Sequence, residues 1–223
     1  MKLSVIIPIY NEADTIEETL ARVAAVDVPK EVIAVDDCST DGTLDLLERA
    51  SGITLIRHDR NRGKGSAIRT GLARASGEIV IVQDADLEYD PADIPAIIAP
   101  IVRGEAEAVY GSRFLRGRPK MRRRNYLGNR VLAIAANLLF RAGLTDEATC
   151  YKAFRTELLK SIPLTCRRFE FCPEVTAKLM RRGVRIAEVP VSYSARTVAE
   201  GKKITTWDGV VALWTLLKFR VRG

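Results

Sequence analysis

Along the first 111 residues, short unbroken apolar runs alternate with amphipathic stretches, the same unit several times over. The runs at 3–9, 32–35, 53–57, 79–83 and 108–110 are rich in Val and Ile and bounded by turn residues, which predicts strands. Continuous apolarity, as opposed to strict alternation, marks strands buried on both faces and so a parallel sheet covered by helices. Between them, helical spacing predicts helices over 15–26, 43–49, 66–75 and 91–102. The first is opened by Asp14 or by the capping-box pair Thr15 and Glu18. The alternation predicts a doubly wound α/β layer, in which ligands bind at the carboxyl ends of the strands.

After Arg113 the pattern changes. A basic linker, 116–130, with the run Arg122-Arg123-Arg124, leads into a helix at about 130–142 that is apolar almost all round. A short strand near 151–154, helices near 156–161 and 174–182, a strand near 185–189 and an apolar stretch at 207–219 with a basic end complete the chain. The stretches 130–142 and 207–219, each flanked by Arg or Lys, suit either the headgroup plane of a membrane or packing on the core. No uncharged apolar run approaches the roughly 20 residues that cross a bilayer. The opening residues read as a strand and not as a signal-peptide core, so a cytoplasmic protein is expected.

At 223 residues, 47% hydrophobic and 28% charged, the chain is an ordinary globular protein, which excludes fibrous and disordered classes. Its net charge of +7 is unevenly spread. Residues 1–100 carry 10 basic and 18 acidic side chains, and residues 101–223 carry 25 and 10. The acidic part suits a metal, and the basic part suits phosphates or an anionic surface. Cys38, Cys150, Cys166 and Cys172 lack zinc-site spacing, and the lone His58 does not complete one, so reduced thiols are expected. A nucleic-acid binder is disfavoured, because no aromatic residue interleaves the basic stretch 116–124.

The candidate chemistry falls at the predicted strand ends. Asp84 and Asp86, one residue apart after the fourth strand, suit a hard divalent cation that also takes substrate phosphate oxygens, and Glu88 completes the set. Asp37 is expected to meet a nucleotide base or ribose, and Asp41 to cap the next helix. Gly63-Lys64-Gly65-Ser66 is not a Walker A loop, since His58 stands where the first glycine belongs and Gly65 follows the lysine. No Gly-x-Gly-x-x-Gly follows the first strand, which disfavours a dinucleotide oxidoreductase.

Five blocks in order, Pro8-x-Tyr10-Asn11-Glu12, Val35-Asp36-Asp37-x-Ser39-x-Asp41-Gly42-Thr43, Asn61-x-Gly63-Lys64-Gly65, Asp84-Ala85-Asp86-Leu87-Glu88 and Gly111-Ser112-Arg113, resemble family 2 glycosyltransferases of the GT-A fold. Within that family the chain is most similar to the dolichol-phosphate and polyprenol-phosphate mannose and glucose synthases. Later blocks agree: Asp146-x-x-Thr149-Cys150-Tyr151-Lys152, Phe169-Glu170-Phe171-x-x-Glu174 and Arg196-x-x-x-Glu200-Gly201-Lys202-Lys203. Cys150 and Tyr151 stand where many relatives have Gly-Phe.

The resemblance implies one GT-A domain with a nucleotide-sugar half, 1–113, and a basic acceptor-side half, 114–223. It implies that Pro8, Tyr10, Glu12, Val35, Asp37, Lys64, Asp84 and Ala85 surround the nucleotide sugar, with Arg196 and Lys202 clamping its diphosphate. It assigns Mg²⁺ or Mn²⁺ to Asp86 and Glu88, and the acceptor phosphate to Arg113 and Arg130. The implied reaction is inverting transfer of a hexose, mannose favoured, from GDP-mannose or UDP-glucose to a polyprenyl (dolichyl) phosphate. The implied place is the inner face of the cell membrane, by peripheral contact that also allows a membrane-protein partner. A phosphate acceptor is already ionised and needs no base; transfer to a sugar hydroxyl of a cell-surface polysaccharide would need one, for which Asp146 is the candidate.

Overall fold

The computed structural model describes residues 2–196 and 205–221. Seven strands form one sheet: β1 (Leu3–Ile9), β2 (Lys30–Asp36), β3 (Ile53–Arg57), β4 (Ile79–Val82), β5 (Ala108–Ser112), β6 (Lys152–Arg155) and β7 (Ile186–Pro190). Their order is β3-β2-β1-β4-β6-β5-β7. Every neighbouring pair is parallel except those of β6, which runs antiparallel to both β4 and β5. The helices are α1 (Ile16–Ala25), α2 (Thr43–Arg49), α3 (Lys64–Arg74), α4 (Ile94–Val102), α5 (Arg123–Phe140), α6 (Thr156–Ser161), α7 (Phe171–Arg181) and α8 (Thr206–Val221).

The first strand, flanked by β2 and β4, shows why its run is almost wholly apolar. Leu3, Val5 and Ile7 join a core with Ile16 and Val23 of α1 and Ile97 and Ile101 of α4. Ile6, pointing the other way, joins Ile68 and Leu72 of α3 and Val175 and Leu179 of α7. Both faces of β1 are therefore dry, and each such side chain contributes about 1.5–3 kcal/mol by leaving water.

Local signals held unevenly. Asp41 accepts from the Thr43 amide at 3.1 Å, as a residue meant to cap α2 would, but Gly42 takes the N-cap position itself. The capping box does not form: the Thr15 hydroxyl donates to the Ala85 carbonyl at 2.7 Å, and Glu18 pairs with Arg22. The stretch 116–130 is only partly a linker, because α5 begins at Arg123 and takes two of the three consecutive arginines into its first turn. Arginine is a good helix former, so a run that looks like solvated loop costs the helix little. The third helix of the second half starts at Phe171, with Pro173 in its first turn, where a missing amide proton is no loss. Among the described residues no helix is long and apolar enough to cross a membrane.

Candidate active site

The strand ends open into a cavity of about 880 Å³. One wall comes from the sheet: Pro8 near the end of β1 with Tyr10 and Glu12 after it, Asp37 after β2, Asp84, Ala85, Asp86 and Glu88 after β4, and Arg113 after β5. The other comes from α5, α7 and α8, through Arg124, Leu132, Cys172, Val210 and Leu213 among others.

Asp37 lies at the cavity but is heavily engaged by the protein. Its oxygens accept from His58 Nδ1 at 2.7 Å and from the amides of Arg62 and Gly63 at 2.8 and 2.7 Å. His58 is held on its other side by Thr70, at 2.9 Å, which agrees with a structural histidine. The Asp37 carboxylate thus shapes the loop before α3 as well as facing the cavity.

Lys64 bridges Asp84 at 2.6 Å and the Cys150 thiol at 3.1 Å. Burial opposes its charge, but Asp84 and Cys150 outweigh that and hold the ammonium well above the usual lysine range. Cys150, which departs from the Gly-Phe of many relatives, is here a partner of that lysine. Asp86 is the strained member. Burial first, then the charges of Asp84 and Glu88, push its carboxyl up to about 7. Glu88 accepts from the Tyr193 hydroxyl at 2.9 Å and the Arg196 amide at 2.8 Å, while the Arg196 guanidinium reaches Glu12 at 2.7 Å.

Among the described residues no group of three or more His, Cys, Asp and Glu already converges as a ligand set. The donors nevertheless fit a hard divalent cation. They are all oxygen, and a buried carboxyl repelled by two neighbouring carboxylates is relieved by added positive charge.

Arg113 and Asp146 meet each other. Nε and Nη2 of Arg113 donate to the two Asp146 oxygens at 2.6 and 2.7 Å, and the Arg113 amide donates to one of them at 3.0 Å. Asp146 is fully buried, so the expectation of a base poised for an acceptor hydroxyl is corrected: both oxygens are spent on the arginine. Burial opposes the guanidinium's charge, and Asp146 more than compensates, keeping it firmly protonated.

Two further expectations, for Arg130 and Val35, are revised by position. Arg130 donates to the Thr145 carbonyl at 3.1 Å and stacks over Phe114, behind the wall of the cavity. The Val35 side chain is fully buried, packed with Ile33 and Ala67 between β2 and α3, so it cannot touch a nucleotide. Ala85 borders the cavity, and its carbonyl anchors Thr15 and Thr19. Lys202 lies outside the described residues.

Several charged residues that line the cavity were not singled out from the sequence. Arg167 and Arg168 are exposed at its edge on the strap 165–170. Glu170 accepts from the Arg167 and Arg168 amides at 2.7 and 3.0 Å, and Glu174 from those of Thr165 and Cys166 at 2.8 and 2.6 Å. The strap's carbonyls fill the start of α3: the amides of Gly65 and Ser66 donate to Arg168 and Arg167 at 2.9 and 3.0 Å. That occupation is the physical reason the glycine-rich loop is no phosphate cradle. The only legible signal was the Arg-Arg doublet beside Phe169-Glu170. Arg124, hidden in the presumed linker, and Glu147, whose carboxyl is raised by burial, also border the cavity.

The same packing explains the glycines. A Cβ on Gly63, whose φ is +89°, would stand 2.4 Å from the Arg167 carbonyl oxygen, and one on Gly65 would stand 2.8 Å from that of Arg168. Gly65 has helical backbone, where alanine normally gains up to about 1 kcal/mol. Gly65→Ala is therefore expected to lower the melting temperature despite better helix propensity, by several degrees in thermal unfolding. An unchanged or higher melting point would show that the strap is not seated there.

Residues 4–162 match the sequence profile of the family described as Glycosyl transferase family 2. Over its whole length the chain is 30% identical to the dolichol-phosphate mannosyltransferase of Pyrococcus furiosus, of which it spans 68%. Over 99% of its length it is 27% identical to the undecaprenyl-phosphate mannosyltransferase of Micrococcus luteus, of which it spans 99%. The crystal structure of glucosyl-3-phosphoglycerate synthase from Mycobacterium tuberculosis, in complex with Mn²⁺, UDP and glucosyl-3-phosphoglycerate, superposes with a TM-score of 0.77 at 25% identity. That superposition covers 98% of this chain and 79% of that one.

Proposed function

Because the chain belongs to glycosyl transferase family 2 and has the GT-A fold, we propose that it is an inverting, metal-dependent hexosyltransferase. It moves a hexose, mannose favoured, from GDP-mannose or UDP-glucose to a polyprenyl phosphate of the dolichyl type at the cytoplasmic membrane face. The relatives named as dolichol- and undecaprenyl-phosphate mannosyltransferases support the acceptor class. The observation that carries the reading is the Arg113–Asp146 pair, which leaves Asp146 no free oxygen for deprotonating a hydroxyl. A phosphate oxygen needs no such help. It attacks the anomeric carbon as the bond to the nucleotide diphosphate breaks, and the electron pair leaves with the diphosphate. Transfer to a polysaccharide hydroxyl is thereby disfavoured.

Asp86 and Glu88 would hold Mg²⁺ or Mn²⁺, which when bound supplies Lewis-acid neutralisation of the departing diphosphate. Lys64 and Asp84, locked together, frame the sugar end of the donor, and Arg196 sets Glu12 and Glu88 in place. The acceptor phosphate is met from the basic side by Arg113, with Arg124 and Arg168 at the edge of the cavity.

Incubation with labelled GDP-mannose or UDP-glucose, polyprenyl phosphate and Mn²⁺ is expected to yield labelled glycolipid. Chelation by EDTA should abolish it, and added Mn²⁺ or Mg²⁺ should restore it. Failure to label the lipid from any common donor, or full activity in excess EDTA, would overturn the reading or its metal.

A further inference from the structure

Two of the chain's four cysteines meet beside Lys64. Cys150 precedes β6, Cys172 lies in the first turn of α7, and both border the cavity. Their thiols interact directly. The Cys172 thiol also donates, at 3.2 Å, to the carbonyl of Thr149, the residue next to Cys150. Cys150 is half-buried, so a small solute that enters the cavity can reach the pair. Cys38 and Cys166 are placed elsewhere, against the carbonyls of Asp59 and Gly65.

The ammonium beside this pair gives it a chemistry that two packed thiols would lack. Lys64 donates to the Cys150 sulfur at 3.1 Å while it pairs with Asp84 at 2.6 Å. A cation against sulfur favours negative charge there, and the thiolate is the nucleophilic form of cysteine. The two sulfurs divide the proton unequally. Cys150 holds its proton firmly, first because Cys172 lies against it and then because it is buried. The same contact lets Cys172 give up its proton below the ordinary thiol range. Cys172 is thus the attacking sulfur, with Cys150 beside it to complete a bond.

We propose that Cys150 and Cys172 are a modification site for hydroperoxides, which close the pair to a disulfide and so take away the thiol partner of Lys64. The Cys172 thiolate attacks one peroxide oxygen, the O–O bond breaks, and the other oxygen leaves as water or alcohol with the proton the thiol shed. The Cys150 sulfur then attacks the sulfenic sulfur of Cys172; the S–S bond forms, and the hydroxyl leaves as water with the Cys150 proton. Two electrons pass from the sulfurs to the peroxide. The product ties the loop before β6 to α7 and is neutral, so Lys64 keeps Asp84 but loses the sulfur that shared it. Lower transfer in the oxidised chain rests on the glycosyltransferase reading; the bond itself does not.

The full chain, reduced and then treated with a modest excess of hydrogen peroxide, should lose about 2 Da of intact mass, the two thiol hydrogens. Proteolysis without reductant should return one cross-linked pair of peptides, joined through Cys150 and Cys172. Transfer should fall by roughly tenfold or more, because a small displacement at the donor's sugar end is enough, and dithiothreitol should restore it. Cys150→Ser/Cys172→Ser should lose no mass and should keep, through the same treatment, whatever rate it starts with. A parent that keeps all its thiols, or bridges Cys38 or Cys166 instead, overturns the site. A Cys150–Cys172 bridge that leaves transfer at full rate, or a loss that dithiothreitol does not reverse, overturns its effect on Lys64. A reduced chain that forms the bridge but transfers nothing sinks the functional reading alone.

Discussion

Asp86→Ala is expected to lower kcat/KM by about 10³-fold while leaving the melting temperature at or above that of the parent. The two halves of this result have one cause. Asp86 is buried beside Asp84 and Glu88, so its charged form is disfavoured in the free protein. Removing it relieves repulsion, which offsets the lost hydrogen bond from the Glu88 amide at 3.0 Å, while turnover loses the carboxylate that would share the cation with the diphosphate. A second readout is independent of catalysis: Mn²⁺ together with a nucleoside diphosphate should raise the parent's melting temperature by mass action and should not raise the variant's. Near-normal turnover, or an intact Mn²⁺ response, would remove Asp86 from the cation site.

Asp146→Ala should act the opposite way, through stability. It strands a guanidinium that is 7% exposed, together with the Arg113 amide. Breaking a buried ion pair from one side costs about 3–5 kcal/mol, which for a chain of this size lowers the melting temperature by roughly 6–20 °C. Arg113→Met/Asp146→Leu removes both charges and should recover most of that loss. Transfer should stay low in the double variant, because the guanidinium proposed to meet the acceptor phosphate is gone. A loss under about 1 kcal/mol in the single variant would mean the pair is not closed in solution.

What could be read along the chain was whatever neighbours in sequence decide. The apolar run of β1 was legible because burial on both faces leaves Ser4 as its one polar position, and Asp41 because a side chain two residues from an amide needs no distant partner. Position at strand ends also put Asp84, Asp86 and Glu88 at the cavity. Pairings across the chain were not legible. Arg113 and Asp146 are 33 residues apart, and each alone looks like a site residue awaiting substrate. The strap at 165–170 reaches α3 from a hundred residues away, so the backbone that Gly63 and Gly65 make room for was not visible along the chain. Val35 sits in a functional block, but its side chain is used up in the packing between β2 and α3.

The antiparallel strand in mid-sheet has an outcome for anyone who would dissect this enzyme. β5 borders only β6 and β7, and β6 alone shields the outer side of β4. A fragment stopped at residue 113 would carry one partnerless strand and expose the flank of another, an invitation to aggregate. Chimeras between relatives should therefore splice outside β6 and β7, keeping those two strands with the sheet of β1 to β5 that they complete.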